Sequence, residues 1–108
     1  MKSYTARQFG IVSITEGATL RPLPPRLDLR DHSPTGFAWG YGGSGPAQLA
    51  LALLCDVLGD EARALRLYQR FKFRAIAPLP QNEPFRMTSE DVLAHVRDIE
   101  AEEARYAV

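Results

Sequence analysis

Apolar positions in the first third of the chain follow the alternation that is typical of β-strands. Residues 2–8, 9–15 and 18–23 each predict a strand, and the acidic residue before Gly17 indicates a hairpin turn between the last two. Pro22 lies in the third segment. Because proline has no N–H to donate to a neighbouring strand, we expect this strand at the edge of a small antiparallel sheet.

The next apolar segment has the pattern of a buried helix. Residues 47–58 are apolar on almost every side, which is typical of a helix enclosed by the core. Gly45 and Pro46 predict its N-cap and first position, and Gln48 then falls where a capping-box side chain is expected. Gly59 predicts its left-handed end.

Two further helices are predicted by their caps and apolar spacing. Asp60 indicates the N-cap of a helix that ends near residue 71, and Thr88 with Asp91 indicates a capping box at the start of another. We expect the inner stripe of the earlier helix to comprise Ala62, Leu65, Tyr68 and Phe71, and that of the later one Val92, Leu93, Val96 and Ile99.

The segment between these helices reads as extended chain. Residues 74–79 predict a strand that Pro78 limits, and residues 85–87 predict a short extended link. These elements together predict one α+β domain over residues 1–108. In this fold a small antiparallel N-terminal sheet packs on a buried central helix, accompanied by two more helices.

Composition and charge exclude several classes of function. Thirteen lysines and arginines balance thirteen aspartates and glutamates, which argues against general binding to nucleic acid or to an anionic membrane. The apolar run of residues 49–55 is too short to span a bilayer, and the N-terminus lacks a secretory signal, so we expect a cytoplasmic protein. The single cysteine, Cys55, and two distant histidines predict neither a metal site nor a cofactor.

Residues 36–54 read GFAWGYGGSGPAQLALALL, with four glycines in the six positions 40–45. Glycine permits close approach of backbones and positive φ, so one explanation of this glycine junction is packing at the helix entrance. A second explanation is anion binding by the amides of Gly42, Gly43, Ser44 and Gly45, although the lysine of a P-loop is missing. A third is catalysis by Ser44 with His32 and Asp31, in a chain too short for a hydrolase sheet of the α/β type.

Charges are segregated along the second half of the chain. Arg63, Arg66 and Arg70 share one face of the second helix, and the third helix is rich in acidic residues. Two interpretations are open: the two faces are solvated and face each other, or the arginines bind an acidic partner or phosphates.

The run HSPTGFAWGYGGSGPAQLALALL, together with Tyr4 and the segment YQRFK at residues 68–72, resembles a family of small bacterial and phage proteins. That family is a domain of unknown function, so the resemblance implies no substrate, cofactor or catalytic residue. Its occurrence in phages and mobile elements implies a small protein that blocks a host machine, such as a defence complex.

We therefore expect a non-enzymatic protein-binding module, with no catalytic residues, that inhibits a host or defence component. Its expected surface combines Arg63, Arg66 and Arg70 with the exposed edge of residues 37–41, including Trp39 and Tyr41. The alternative is a small-anion or nucleotide binder that uses residues 42–45 and Arg63 or Lys72. The sequence leaves the oligomeric state open.

Overall fold

Four short strands form one antiparallel sheet in the computed structural model, which describes residues 1–106. The strands are β1 (Ser3–Ala6), β2 (Ser13–Glu16), β3 (Thr19–Pro22) and β4 (Phe85–Thr88), in the order β3-β2-β1-β4. The three predicted N-terminal strands are confirmed, although β2 begins at Ser13 and not at residue 9. β3 lies at the edge and is exposed throughout, as its proline predicts.

Strand β4 corrects the prediction of a simple link at residues 85–87. Met87 pairs with Tyr4 on one side of β1, and Ile14 pairs with Tyr4 on the other. These three side chains are buried and form the inner row of the sheet. Because its partner is close to the N-terminus, no local pattern could show that this segment completes the sheet.

The central helix α1 (Ser44–Leu58) is enclosed by the core, as predicted, and every residue from Gly45 to Cys55 is buried. It begins earlier than predicted, with Gly43 as N-cap, and it ends at Gly59, whose φ of 63° confirms the left-handed end. Among residues 1–106, no helix combines the length and apolar character that a bilayer crossing requires.

Gln48 does not cap α1, because the earlier start places it in the second turn of the helix. Its side chain is fully buried and makes four hydrogen bonds to the loop that precedes the glycine junction. Oε1 accepts from the amides of His32 (2.8 Å) and Ser33 (3.1 Å), and Nε2 donates to the carbonyls of Pro25 (2.6 Å) and Arg30 (3.0 Å). One amide thereby holds this loop against α1.

Helix α2 (Glu61–Phe71) begins where its cap predicts, since the Asp60 carboxylate accepts from the amide of Arg63 at 3.1 Å. The predicted inner stripe is only partly right. Tyr68 and Phe71 are buried, but Ala62 is exposed and Leu65 half-buried; the other buried positions are Ala64 and Leu67. The side of α2 that packs against α1 decides which positions are buried. The spacing of the apolar residues alone does not show which side that is.

The strand predicted at residues 74–79 is wrong. The chain continues from α2 into a π-helical turn, Lys72–Ile76, in which the amide of Ala77 donates to the carbonyl of Lys72 at 2.9 Å. A short apolar run fits a strand or a buried helical turn equally well, and its burial against α1 decides between them.

Helix α3 (Ser89–Tyr106) begins with the predicted capping box. Thr88 Oγ1 accepts from the amide of Asp91 at 3.1 Å, and the Asp91 carboxylate accepts from the amide of Thr88 at 2.9 Å. Its buried positions are Val92, Val96 and Ile99, as predicted, and Leu93 is half-buried.

A partly buried polar contact fixes the sheet to α1. The Tyr4 hydroxyl donates to Asp56 at 2.5 Å, and Lys2 Nζ donates to the same carboxylate at 3.2 Å. Burial of the Tyr4 ring, followed by this hydrogen bond to an anion, raises the pKa of Tyr4 far above its ordinary value. The tyrosine therefore remains a neutral donor that positions β1 on the helix.

We predict that Gln48→Met destabilises the fold by about 3 kcal/mol, because it strips four backbone groups of their partners while nearly preserving side-chain volume. The matched control is Gln69→Met on the exposed face of α2, which should change the free energy of unfolding by less than about 0.5 kcal/mol. Urea denaturation measures both. Equal effects of the two substitutions would contradict a special role for Gln48.

Candidate binding site at the glycine junction

The glycine junction is anchored by the chain segment that follows α2. The amide of Gly40 donates to the carbonyl of Ile76 at 3.1 Å, and the buried Lys72 Nζ donates to the carbonyl of Gly42 at 3.1 Å. The Trp39 indole N–H donates to the carbonyl of Glu83 at 3.0 Å. These three hydrogen bonds fix the entrance of α1 at the edge of the core.

At Gly40 the glycine junction comes so close to the chain segment after α2 that there is no room for a side chain. Its φ is 87°, and a Cβ placed on it would lie 2.8 Å from the Cα of Gln81 and 2.8 Å from the carbonyl oxygen of Leu79. Both obstacles are backbone atoms, which cannot rotate away. The packing explanation of the junction therefore accounts for Gly40.

The ring of Tyr41 lies across the first turn of α1. A Cβ on Gly43 would meet Cε2 of this ring at 2.5 Å, and a Cβ on Gly45 would meet the Cβ of Ala38 at 2.6 Å. The lack of a side chain at Gly43 and Gly45 thus leaves space for Tyr41 and Ala38. Tyr41 lies against the start of the helix while 41% of it stays exposed.

The predicted exposed edge at residues 37–41 needs correction, because Phe37, Ala38 and Trp39 are buried. Trp39, only 1% exposed, belongs to the core. Its ring and that of Phe9 pack edge to face, with 4.9 Å between the ring centroids. Tyr41 is the exposed side chain of the predicted edge.

Two other aromatic side chains join Tyr41 at the surface. Phe9 is 44% exposed, with its ring centroid 6.4 Å from that of Tyr41, and Phe73 is 62% exposed, with its ring against Gly42. The ammonium group of Lys72 lies 4.0 Å from the centroid of the Phe73 ring. We call Phe9, Tyr41 and Phe73 the aromatic edge.

Sequence reasoning missed Phe9 and Phe73. Phe9 is brought to the site by a bridge in which Gly10 and Phe37 exchange two backbone hydrogen bonds, at 2.9 and 2.8 Å. Phe73 is turned outward by the π-helical turn. One signal was available, since Phe9 is followed by Gly10, whose φ of 126° is a conformation that favours glycine.

A groove of about 300 Å³ opens at the first turn of α1. The hydroxyl-bearing residues in its lining are Ser33, Thr35, Tyr41 and Ser44, and the N-cap residue Gly43 supplies no side chain to the helix amides. Of the four predicted anion-binding residues, Ser44 and Gly45 line this groove, whereas Gly42 and Gly43 pack against Phe73 and Tyr41. Neither Arg63 nor Lys72 belongs to its lining.

The geometry brings no nucleophile and base together at Ser44. His32 Nε2 lies 2.8 Å from the Tyr68 hydroxyl, and the two rings are 5.6 Å apart, so a different partner engages the imidazole. Within the part of the chain that the structure describes, no three His, Cys, Asp or Glu residues are grouped to hold a metal ion.

The predicted arginines face α3. Arg63 donates from Nε and Nη2 to the two carboxylate oxygens of Glu100, at 3.0 and 2.5 Å, and Arg66 donates to Glu100 at 2.8 Å. Arg70 donates to Glu102 at 3.2 Å. The hydrogen bond from Arg63 lowers the pKa of Glu100. The structure therefore shows the first of the two interpretations, in which the arginine face of α2 and the acidic face of α3 lie opposite each other.

A family model described as a family of unknown function, DUF6166, matches residues 4–98. The chain belongs to this family. No curated protein and no solved structure matches the chain significantly. The DUF6166 match includes the glycine junction, the aromatic edge and the three arginines, and it ends before Glu100. Family membership supplies no activity, so the function is argued from geometry.

We predict that Gly40→Ala destabilises this DUF6166 protein by about 3 kcal/mol or more, because the new methyl group meets fixed backbone. Gly17→Ala is the control, since Gly17 also has a positive φ, of 59°, but has no atom within 4 Å of its Cβ position. It should cost only about 1 kcal/mol, for the left-handed conformation alone. Thermal unfolding measures both, and equal losses would contradict the close approach.

Proposed function

We propose that the protein is a non-enzymatic protein-binding module that contacts its partner through the aromatic edge. One observation carries this proposal. Six of the ten aromatic side chains are buried, and three of the four exposed ones, Phe9, Tyr41 and Phe73, surround the glycine junction. Exposed aromatic side chains gathered at one place are typical of the centres of protein interfaces.

The aromatic edge is also held in place before any partner binds. Phe9 rests on the buried Trp39, Tyr41 lies across α1, and Phe73 lies against Gly42. A side chain that is already ordered loses little conformational entropy on binding, so more of its contact energy contributes to affinity. This arrangement supports a role in recognition. Besides permitting close packing, the glycines thus help to hold the aromatic side chains in place.

The arginine face contributes less to this proposal than the sequence indicates. Arg63, Arg66 and Arg70 are engaged by carboxylates of α3, which neutralise them in the free chain. Trp39 supports the surface from beneath and does not contact a partner directly.

A narrower hypothesis comes from the resemblance to phage and mobile-element proteins. We propose on that ground that the partner belongs to a host machine such as a defence complex. Capture followed by identification of the bound protein tests this hypothesis separately from the binding surface itself.

The decisive experiment replaces the aromatic edge and measures partner capture. We expect Tyr41→Ser with Phe73→Ser to lower the amount of specifically captured protein by about tenfold or more, because hot-spot side chains carry most of the binding energy. The matched control is Leu20→Ser with Tyr106→Ser, which removes two exposed side chains, 70% and 86% exposed, that do not belong to the aromatic edge. Equal capture by both double variants, with thermal stability preserved, would contradict the proposal.

A second candidate function is small-anion or nucleotide binding at the α1 groove, favoured by the open first turn at Ser44 and Gly45. The groove has no basic side chain in its lining, and it therefore ranks second. If it binds anions, phosphate or a nucleotide should raise the melting temperature with the logarithm of its concentration. An unchanged melting temperature with phosphate, nucleotides and cyclic nucleotides would exclude this candidate.

A further inference from the structure

Helix α3 has two parts that are held in different ways. As far as Ile99 it is fixed by buried apolar side chains, but between Glu100 and Tyr106 every residue is exposed or half-buried. This last part rests on α2 and on the π-helical turn through ion pairs. We call the carboxylates of this last part the acidic end: Glu100, Glu102 and Glu103.

The opposing surface is a row of four arginines, which we call the arginine ladder: Arg63, Arg66, Arg70 and Arg74. Besides the contacts already described, Arg66 and Arg70 each lie 3.5 Å from Glu103. Arg74 contacts Asp98 and Glu102, both at 2.9 Å. Each arginine is therefore matched by carboxylates projecting from one helix.

These contacts are open to solvent and therefore replaceable. The arginine side chains are 36% to 53% exposed. Ion pairs with this exposure are screened by salt and contribute little to stability. The acidic end can thus leave the ladder without disturbing the core beneath Ile99.

We propose that the arginine ladder is a docking surface for an acidic helical segment of a partner protein, and that the acidic end of α3 occupies it in the free chain. Charge complementarity identifies the partner, since the ladder is already fitted to carboxylates on a helix, with two parallel hydrogen bonds from Arg63 to Glu100.

An acidic protein fits this surface better than a nucleic acid does. The chain has no net positive charge, and two of the aromatic side chains interleaved with the arginines in sequence, Tyr68 and Phe71, are buried and unavailable for base stacking. The inference does not depend on the aromatic edge, so failure of either proposal leaves the other intact.

The test measures binding of a fluorescein-labelled polyglutamate peptide at low ionic strength to the full chain and to its variant Glu100→Gln, Glu102→Gln, Glu103→Gln. Removing the carboxylates of the acidic end raises the fraction of protein in which the arginine ladder is free. We therefore expect this variant to bind the peptide about tenfold more tightly than the parent does. The control variant, Glu16→Gln, Glu83→Gln, Glu90→Gln, changes the net charge equally at exposed positions and should bind like the parent. Adding Arg66→Gln and Arg70→Gln to the first variant should abolish the gain.

Equal binding by the first variant and the control overturns the proposal, because net charge alone would then explain the effect. Tighter binding of a single-stranded oligonucleotide than of polyglutamate to the first variant also overturns it and indicates a nucleic-acid surface. A second measurement needs no variant. Polyglutamate should accelerate amide hydrogen exchange in residues 100–106 of the parent while residues 92–99 stay protected, and unchanged exchange at saturating peptide overturns the proposal.

Discussion

The structure depends on the close approach of Gly40 to the backbone at Leu79 and Gln81. At this point the chain leaves the buried residues 37–39 and turns towards α1, and the turn has no room for a Cβ. Hydrogen bonds from Trp39, Gly40 and Lys72 fasten the same turn to the segment after α2. Because α1 is buried along most of its length, its entrance fixes where the sheet and the other helices can pack.

An apolar helix attracts its neighbours without specifying their positions, and two polar contacts supply that specificity. Gln48 binds the preceding loop through four hydrogen bonds, and Asp56 accepts from Tyr4 of β1. A misplaced loop or strand would leave these groups without partners, at a fully buried site for Gln48 and at a partly buried one for Asp56, which costs more free energy than the bonds contribute when made. The two contacts therefore select one arrangement among many with similar apolar burial.

The two proposed binding surfaces differ in their physical state. The aromatic edge is ordered and exposed, since the glycines beneath it let Tyr41 and Phe73 lie against backbone. The arginine ladder is ordered and covered, since carboxylates of α3 neutralise it. Apolar contacts change little with ionic strength, whereas the ion pairs between the acidic end and the arginine ladder weaken as salt is added. Partner binding at the two surfaces should therefore respond to salt in different ways.

Local chemistry let the sequence determine several features by itself. The caps at Asp60 and at Thr88 with Asp91, the hairpin turn at Gly17 and the left-handed helix end at Gly59 use partners or conformations within a few residues. The pattern also determined the α+β class and the burial of α1. Only the tertiary structure decided β4, the π-helical turn, the burial of Trp39 and the place of Phe9, because each depends on a partner far along the chain. The same holds for the arginines, whose spacing defines a face while α3 decides whether that face is free.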